Sequence, residues 1–265
     1  MLCKEFHHFW LPKRGNTREE YEDAAAGNTE IGRFAIADGA SESSYAGTWA
    51  RILVEGSISA PTLELEPWIA ALRDRWLTEL GKGPFPWYSE TKIAEGAFAT
   101  LLGLNLEKKR RCCREFVVWD AIAVGDGCVF QVRRERLIRS FPLVSFEEFD
   151  NSPGLVCSRP VRPAFANGLE RTTKNRLCKP GDVLLLMTDA LAMWFLQRES
   201  EGKNPWEELK PLLKWPEKKA AFTTWNEPRE GPAHLRITAF EAWIEERRLR
   251  QELRNDDVTL LAICF

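Results

Sequence analysis

The sequence predicts an α+β fold built on antiparallel sheets, and three observations predict it. Strand-like stretches come in pairs joined by turn residues: 21–26 and 33–37 flank Gly27-Asn28, and 115–124 and 128–133 flank Gly125-Asp126-Gly127. Helix-like periodicity is grouped apart from them, at 45–104 and again at 238–254, which favours antiparallel sheets over a wound parallel one. Apolar strands also repeatedly meet aspartate at their ends. The 33–37 run stops at Asp38, the 183–187 run stops before Asp189, and the last strand follows Asp256-Asp257.

In chain order, 6–11 reads as a first strand ended by Pro12, which cannot donate to a ladder. A polar loop at 13–20 follows. In the 21–37 hairpin, Glu22 and Asp23 lie on one arm and Asp38 on the other, so pairing brings them side by side. Gly39 lets the backbone turn, and Ser41 to Ser44 offer caps for a helix over 45–57. A second helix is expected over 63–80 and a third over 89–104, capped by Ser89 and joined to the second by the aromatic link 84–88. After the 115–133 pair come weaker strand signals at 136–140 and 172–177. Between these, 142–170 reads as an irregular flap over a site. The turn at 179–182 feeds the strand 183–187, and a helix is expected over 190–197. Residues 198–252 change in composition, carrying Trp206, Trp215, Trp225 and Trp243, and read as a helical insertion within a single domain spanning 1–265.

Length supports one large core. An apolar content of 44% and a charged content of 29% describe an ordinary globular chain. A net charge of −2 gives no general attraction to nucleic acid or to an anionic membrane. The basic runs at 107–114 and 245–250 read as solvated helix ends and polar helix faces. The 7 cysteines include no C-x-x-C pair and no histidine at ligand spacing. Zinc is therefore not expected, and free thiols in a reducing cytoplasm are. No stretch has signal-peptide or transmembrane length, so a cytoplasmic protein is expected.

A carboxylate at the end of a buried strand is costly unless something pairs with it, and a metal ion is the usual partner. For Asp38-Gly39 alone, a simple strand–turn–helix junction with Asp as a turn former is the plainer reading. Four acidic sites far apart in sequence, each at a strand edge, point instead to one convergent cluster.

Taken in order, these segments resemble the metal-dependent protein phosphatases of the protein phosphatase 2C type (the PPM family), in their bacterial form. The motifs are Glu22-Asp23, Asp38-Gly39, Gly125-Asp126, the run from Gly181 to Asp189 (GDVLLLMTD), and the run from Asn255 to Thr259 (NDDVT). The resemblance implies a central antiparallel β-sandwich flanked by helices on both faces. It implies two Mn²⁺ or Mg²⁺ ions. Asp38 would be shared by both, Glu22 and the Gly39 carbonyl would serve one, Asp189 and Asp256 would serve the other, and Asp23 would hold bound waters or a ligand. It also implies a monomer acting on phosphoserine and phosphothreonine in the phosphorylated protein substrate of a serine/threonine kinase. Arg18, five residues before Asp23, matches an arginine that grips the substrate phosphate, with Arg14 as the competing candidate. The chemistry is consistent: phosphate monoesters hydrolyse very slowly unaided, and two ions about 3.5–4 Å apart can hold the phosphoryl oxygens and activate a water. All-oxygen ligation with retained waters suits Mg²⁺ or Mn²⁺.

Two departures stand out. The histidine that many relatives carry after Asp-Gly is replaced by the tract Ala40-Ser41-Glu42-Ser43, which leaves the proton source open between Glu42 and a water. Asp126 matches a ligand of a third ion, but Met193 stands where its partner acid would be. Asp189 as a helix cap, Asp256 as a turn residue with Asp257 solvated, and Glu22 as surface charge are the plain structural alternatives. At the level of function, a non-catalytic phosphoprotein-binding relative and a two-metal hydrolase of small phosphoesters remain the alternatives. The 142–170 and 198–252 segments are expected to border the site and select substrates.

Overall fold

The computed structural model describes residues 2–59, 65–81, 93–150, 152–159, 170–171, 176–213, 222–223 and 232–265. The link at 84–88, Trp215 and Trp225 lie outside the described residues, as does 160–169 of the expected flap.

The strands are β1 (Glu5–Leu11), β2 (Ala24–Asn28), β3 (Arg33–Ala37), β4 (Phe98–Ala99), β5 (Leu101–Arg111), β6 (Arg114–Val124), β7 (Cys128–Arg133), β8 (Arg136–Phe141), β9 (Val156–Cys157), β10 (Glu170–Arg171), β11 (Arg176–Cys178), β12 (Val183–Met187), β13 (Phe222–Thr223) and β14 (Val258–Cys264). The described helices are α1 (Ala46–Ser59), α2 (Leu65–Leu80), α3 (Asp189–Ser200), α4 (Pro205–Leu209) and α5 (Pro232–Leu249). One sheet runs β1-β14-β12-β7-β8. The other runs β10-β6-β5-β3-β2-β13, with β11 also on β6, and β4 pairs with β9. The strand pairs are antiparallel.

Side-chain alternation builds three apolar layers from these strands. In β14, Val258, Leu260 and Ala262 face a cluster with Phe195 of α3 and Phe240 and Ile244 of α5. Leu261 and Ile263 face the other way, into a layer between the sheets with Leu184 and Leu186 of β12 and Phe34 and Ile36 of β3. Ala35 and Ala37 of β3 in turn pack under Trp49 and Leu53 of α1 and Trp76 of α2. Strands covered on both faces read as continuous apolar runs, and β14 is buried at every position. The result is the expected α+β sandwich, with helices on both outer faces. Trp206 and Trp243, from the 198–252 segment, belong to the same cluster as β12 and β14.

Several elements differ from expectation. Of the third helix expected over 89–104, residues 93–95 are helical, and the chain then enters β4 and β5. Leu102, Leu104 and Leu106 alternate with Gly103, Asn105 and Glu107, and this period of two places β5 between β3 and β6. Gly125-Asp126-Gly127 is not a hairpin: β6 belongs to one sheet and β7 to the other, so the turn crosses between them. The basic run 107–114 is a β-hairpin tip rather than a helix end, turning at Cys112 and Cys113, both with positive φ. The 198–252 segment is not wholly helical, since β13 adds to the edge of β2. Of the expected flap, the described part is docked. Trp49 Nε1 donates to the Val156 carbonyl at 2.8 Å, and Phe149 lies in the α3 cluster.

Candidate active site

Antiparallel pairing alone gathers the acidic residues. Ala24 pairs with Ala37, so Asp23, entering β2, and Asp38, leaving β3, stand at the same end of their sheet. Met187 pairs with Leu260, so Asp189, after β12, and Asp256, before β14, stand at the same end of the other. The crossing turn places Asp126 between the two sheets. Asp23, Asp38, Asp126, Asp189 and Asp256 then interact electrostatically as one group.

Each is held by local bonds. The Asp38 N–H donates to Thr100 Oγ1 at 2.9 Å, and the Thr100 N–H donates to the Asp38 carbonyl at 2.8 Å. Asp23 is fully buried, and its Oδ2 accepts from Thr188 Oγ1 at 3.0 Å and Thr259 Oγ1 at 2.6 Å. Those threonines belong to the other sheet, so Asp23 bolts the two sheets together. Tyr21 closes the network by a hydroxyl–hydroxyl bond to Thr259. Thr188 is the N-cap of α3 and Asp189 its first residue, so Asp189 is not the cap.

Asp257 is not solvated. It is 4% exposed, and its carboxylate accepts from the Lys13 N–H at 2.7 Å and the Glu22 N–H at 2.8 Å. It therefore ties the last strand to the Glu22 loop. Gly39 is not there for a left-handed turn either. A Cβ at this position would lie 2.8 Å from the Glu22 carbonyl and 2.9 Å from the Ala46 carbonyl carbon, so Gly39 permits close approach of the backbone. The serines before α1 bind elsewhere than its N-terminus. Ser41 Oγ accepts from Lys13 Nζ at 2.8 Å, and Ser43 Oγ donates to the Ala40 carbonyl at 2.9 Å.

Charge repulsion and burial act together here. Burial, then Asp23, Asp189, Asp256 and Asp126, hold the Asp38 carboxyl well above the usual range. Burial, then Asp257, does the same for Asp23. Asp189 is pushed up to about 7 by burial and by Asp126 and Asp256, and Asp126 to about 6 chiefly by burial. Burial also raises Glu22, against a hydrogen bond from Ser41 and the charge of Lys13. Arg254 is the cation facing Asp126 and Asp189. Beside it a cleft of about 370 Å³ is lined by Met193, Gln197, Arg248 and Asn255, among others.

Arg18 is exposed, with its guanidinium 5.5 Å from the Trp10 ring centroid and 3.4 Å from Glu241. Arg14 lies 3.8 Å from Glu245. Neither forms an ion pair with a cluster carboxylate among the described residues. The sequence reading missed Thr100, Thr188, Asp257 and Arg254. The hydroxyls at Thr188 and Thr259 were legible only as strand-end threonines next to the acidic positions.

The donor set fits hard divalent cations. It is all oxygen, and two of its buried oxygens, Asp23 Oδ1 and Asp189 Oδ1, have no hydrogen-bond partner. Among the described residues no three His, Cys, Asp or Glu side chains close into a metal cage.

No protein-family profile matches the sequence, and no curated protein sequence matches it. Solved structures do match. PppA, a key regulatory component of T6SS in Pseudomonas aeruginosa, aligns at 17% identity over 99% of this chain and 98% of its own, with a TM-score of 0.52. The Mycobacterium tuberculosis serine/threonine phosphatase PstP/Ppp aligns at 17% identity over 98% of both chains, with a TM-score of 0.52. The photosystem II phosphatase PBCP aligns at 13% identity over 98% of both chains, with a TM-score of 0.53. At these identities the likeness establishes the fold, which is that of the PP2C-type phosphatases.

Proposed function

We propose that this chain, which folds as a PP2C-type phosphatase, is a metal-dependent phosphatase that hydrolyses phosphoserine and phosphothreonine in proteins. The observation that carries the reading is the gathering of five aspartates from both sheets at one end of the sandwich, where burial and mutual repulsion raise the carboxyl groups of Asp23, Asp38, Asp126 and Asp189. Such a cluster is unfavourable by itself and is relieved by cations.

Asp38 would serve both of two Mn²⁺ or Mg²⁺ ions, Glu22 and the Gly39 carbonyl one of them, and Asp189 and Asp256 the other. Bound there, the ions would supply charge neutralisation for the phosphoryl group and acidify a water. Asp23 orients from behind, since Thr188 and Thr259 lock one of its oxygens and leave the other available. Arg18 would engage the substrate phosphate after leaving Glu241, an exposed contact of low energy. The proton for the leaving oxygen would come from a water or from Glu42, which is exposed in the loop after Gly39. Asp126 faces Arg254 and has Met193 where a second acid would be needed, so we propose two ions and not three.

The reading extends to the whole chain, 1–265, as one catalytic domain acting as a cytoplasmic monomer on the substrate of a serine/threonine kinase. Neither nucleic acid nor membrane is a proposed partner. No helix among the described residues is long and apolar enough to cross a membrane.

Turnover of a phosphothreonine peptide with Mn²⁺ and in EDTA, for the native chain and for Asp38→Asn, tests the proposal. Activity should require the metal and fall by several orders of magnitude in the variant, because charge stabilisation and orientation are lost together. Full activity in EDTA would refute the metal mechanism. Peptide binding without turnover would point to the non-catalytic alternative.

A further inference from the structure

We propose that Arg248 is a positioning residue: from α5 it fixes the peptide of Asp256 and so aims that carboxylate at the metal site. The inference rests on the reading of Asp256 as a metal ligand. It assigns to the 198–252 segment a part in the chemistry, beyond bordering the site.

Arg248 is 7% exposed, unusual for an arginine, and it lies at the fork where β1 and β14 part. Leu11 pairs with Val258 as the last rung of that ladder, and just beyond it the chains diverge at Pro12 and Asp256. The guanidinium fills the fork. Nη1 donates to the Pro12 carbonyl at 3.0 Å and to Glu245 Oε1 at 2.7 Å, and Nη2 donates to the Asp256 carbonyl at 2.5 Å. Nε is buried with no partner. A charge taken out of water to this extent is costly unless it is paired and hydrogen-bonded, as it is here by Glu245 and the two carbonyls.

The loop it holds is the acidic one. Asp256 Oδ1 accepts from the Asp257 N–H at 2.9 Å, and the Asp257 carboxylate reaches the Glu22 and Lys13 N–H groups. Asn255 Oδ1 accepts from the Arg14 N–H at 2.7 Å. Arg248 thus anchors one continuous network, Arg248–Asp256–Asp257–Glu22, which joins a candidate ligand of each ion. A planar fork can hold the Pro12 and Asp256 carbonyls at once, while a lysine ammonium is a single point charge on a flexible stem. Groups that orient metal ligands from outside typically change metal affinity by about 10–100-fold when removed.

The test compares Arg248→Met and Arg248→Lys with Arg247→Met. Arg247 is the neighbouring helix residue, which pairs with Glu208 and Glu252 and lies over Trp243. Mn²⁺ dissociation constants would be measured by calorimetry on EDTA-stripped, refolded-free protein, beside melting temperatures in EDTA. Both Arg248 variants should bind Mn²⁺ about tenfold or more weakly, while Arg247→Met lowers the melting temperature and leaves the Mn²⁺ constant unchanged. If Arg248→Met does not fold, Arg248→Lys decides. Unchanged Mn²⁺ affinity in the Arg248 variants, or an equal loss in Arg247→Met, would overturn the positioning role. A native chain that binds no Mn²⁺ would overturn the metal reading itself, and this inference with it.

Discussion

Replacing Asp189 by Asn should stabilise the metal-free protein while weakening its response to metal. In the folded chain the Asp189 carboxyl moves from 3.8 to about 7, through burial first and then the charges of Asp126 and Asp256. Each unit corresponds to about 1.4 kcal/mol, so ionising Asp189 in the fold costs on the order of 4 kcal/mol. Asparagine removes that cost but also removes a favourable carboxylate at the first position of α3, worth about 0.3–1 kcal/mol. Relaxation and water entry reduce the remainder, and a net gain of roughly 2 kcal/mol is a fair expectation. At about 2–4 °C per kcal/mol for a chain near this size, the melting temperature in EDTA should rise by about 4–8 °C.

The sign has a pH signature. Below pH 3.8 the carboxyl is protonated in both states and contributes nothing. From there to about 7 the unfolded chain has lost the proton and the folded chain has kept it, so stability falls as pH rises. Above about 7 the penalty is complete. Asp189→Asn should therefore gain most at pH 8 and little near pH 4. With millimolar Mn²⁺ the order should reverse, because the native chain gains binding energy that the variant lacks. Thermal melts at pH 4, 6 and 8, in EDTA and in Mn²⁺, measure all of this. A loss of stability in EDTA at pH 8, or a gain that does not vary with pH, would refute the repulsion argument.

Two further outcomes follow from contacts at the site. Thr259→Val removes a donor from the buried Asp23 carboxyl and should cost about 1–3 kcal/mol in denaturant unfolding, and an unchanged unfolding free energy would show that this bond does not hold the sheets together. Gly39→Ala drives a methyl against the Glu22 carbonyl and Ala46, so it should destabilise by about 1–3 kcal/mol and weaken Mn²⁺ binding, and a neutral result would show that the Glu22 loop is free to retreat.

The sandwich was legible where residue patterns are local. The signals around Gly27-Asn28 announced a hairpin, and its register set Asp23 against Asp38, although Gly27 and Asn28 are rungs of the ladder opposite Phe34 and Arg33 and the turn itself is 29–32. The apolar runs at β12 and β14 announced strands buried on both faces. Where the structure parts from the sequence, long-range pairing decides. Residues 101–104 carry small and apolar side chains that suit a helix, but their place between β3 and β6 makes them strand. Gly125-Asp126-Gly127 has the composition of a tight hairpin turn, and nothing local reports that the flanking strands belong to different sheets. At the site, the acidic positions were readable because each stands at a strand end. Their supports were not, because Thr100, Asp257 and Arg248 act on residues distant in sequence: Asp38, Glu22 and Pro12.

Asp23 shows why the site and the fold are hard to separate. Its carboxylate comes from one sheet, and the hydroxyls that hold it, Thr188 and Thr259, come from the other. Asp257 and Arg248 add ties between the chain leaving β1 and the chain entering β14. Without cations these ties hold like charges at one end of the sandwich against their repulsion, at the expense of stability. A cation bound there would relieve the repulsion and tighten the same end at once. Metal binding and sheet-to-sheet packing should therefore be coupled, and the melting temperature should climb with the logarithm of Mn²⁺ concentration above its dissociation constant. The Mn²⁺ concentration at which the climb begins should rise in Thr259→Val, where one side of the coupling has been cut, and an unchanged onset would mean that the ions bind the loops without engaging the sandwich.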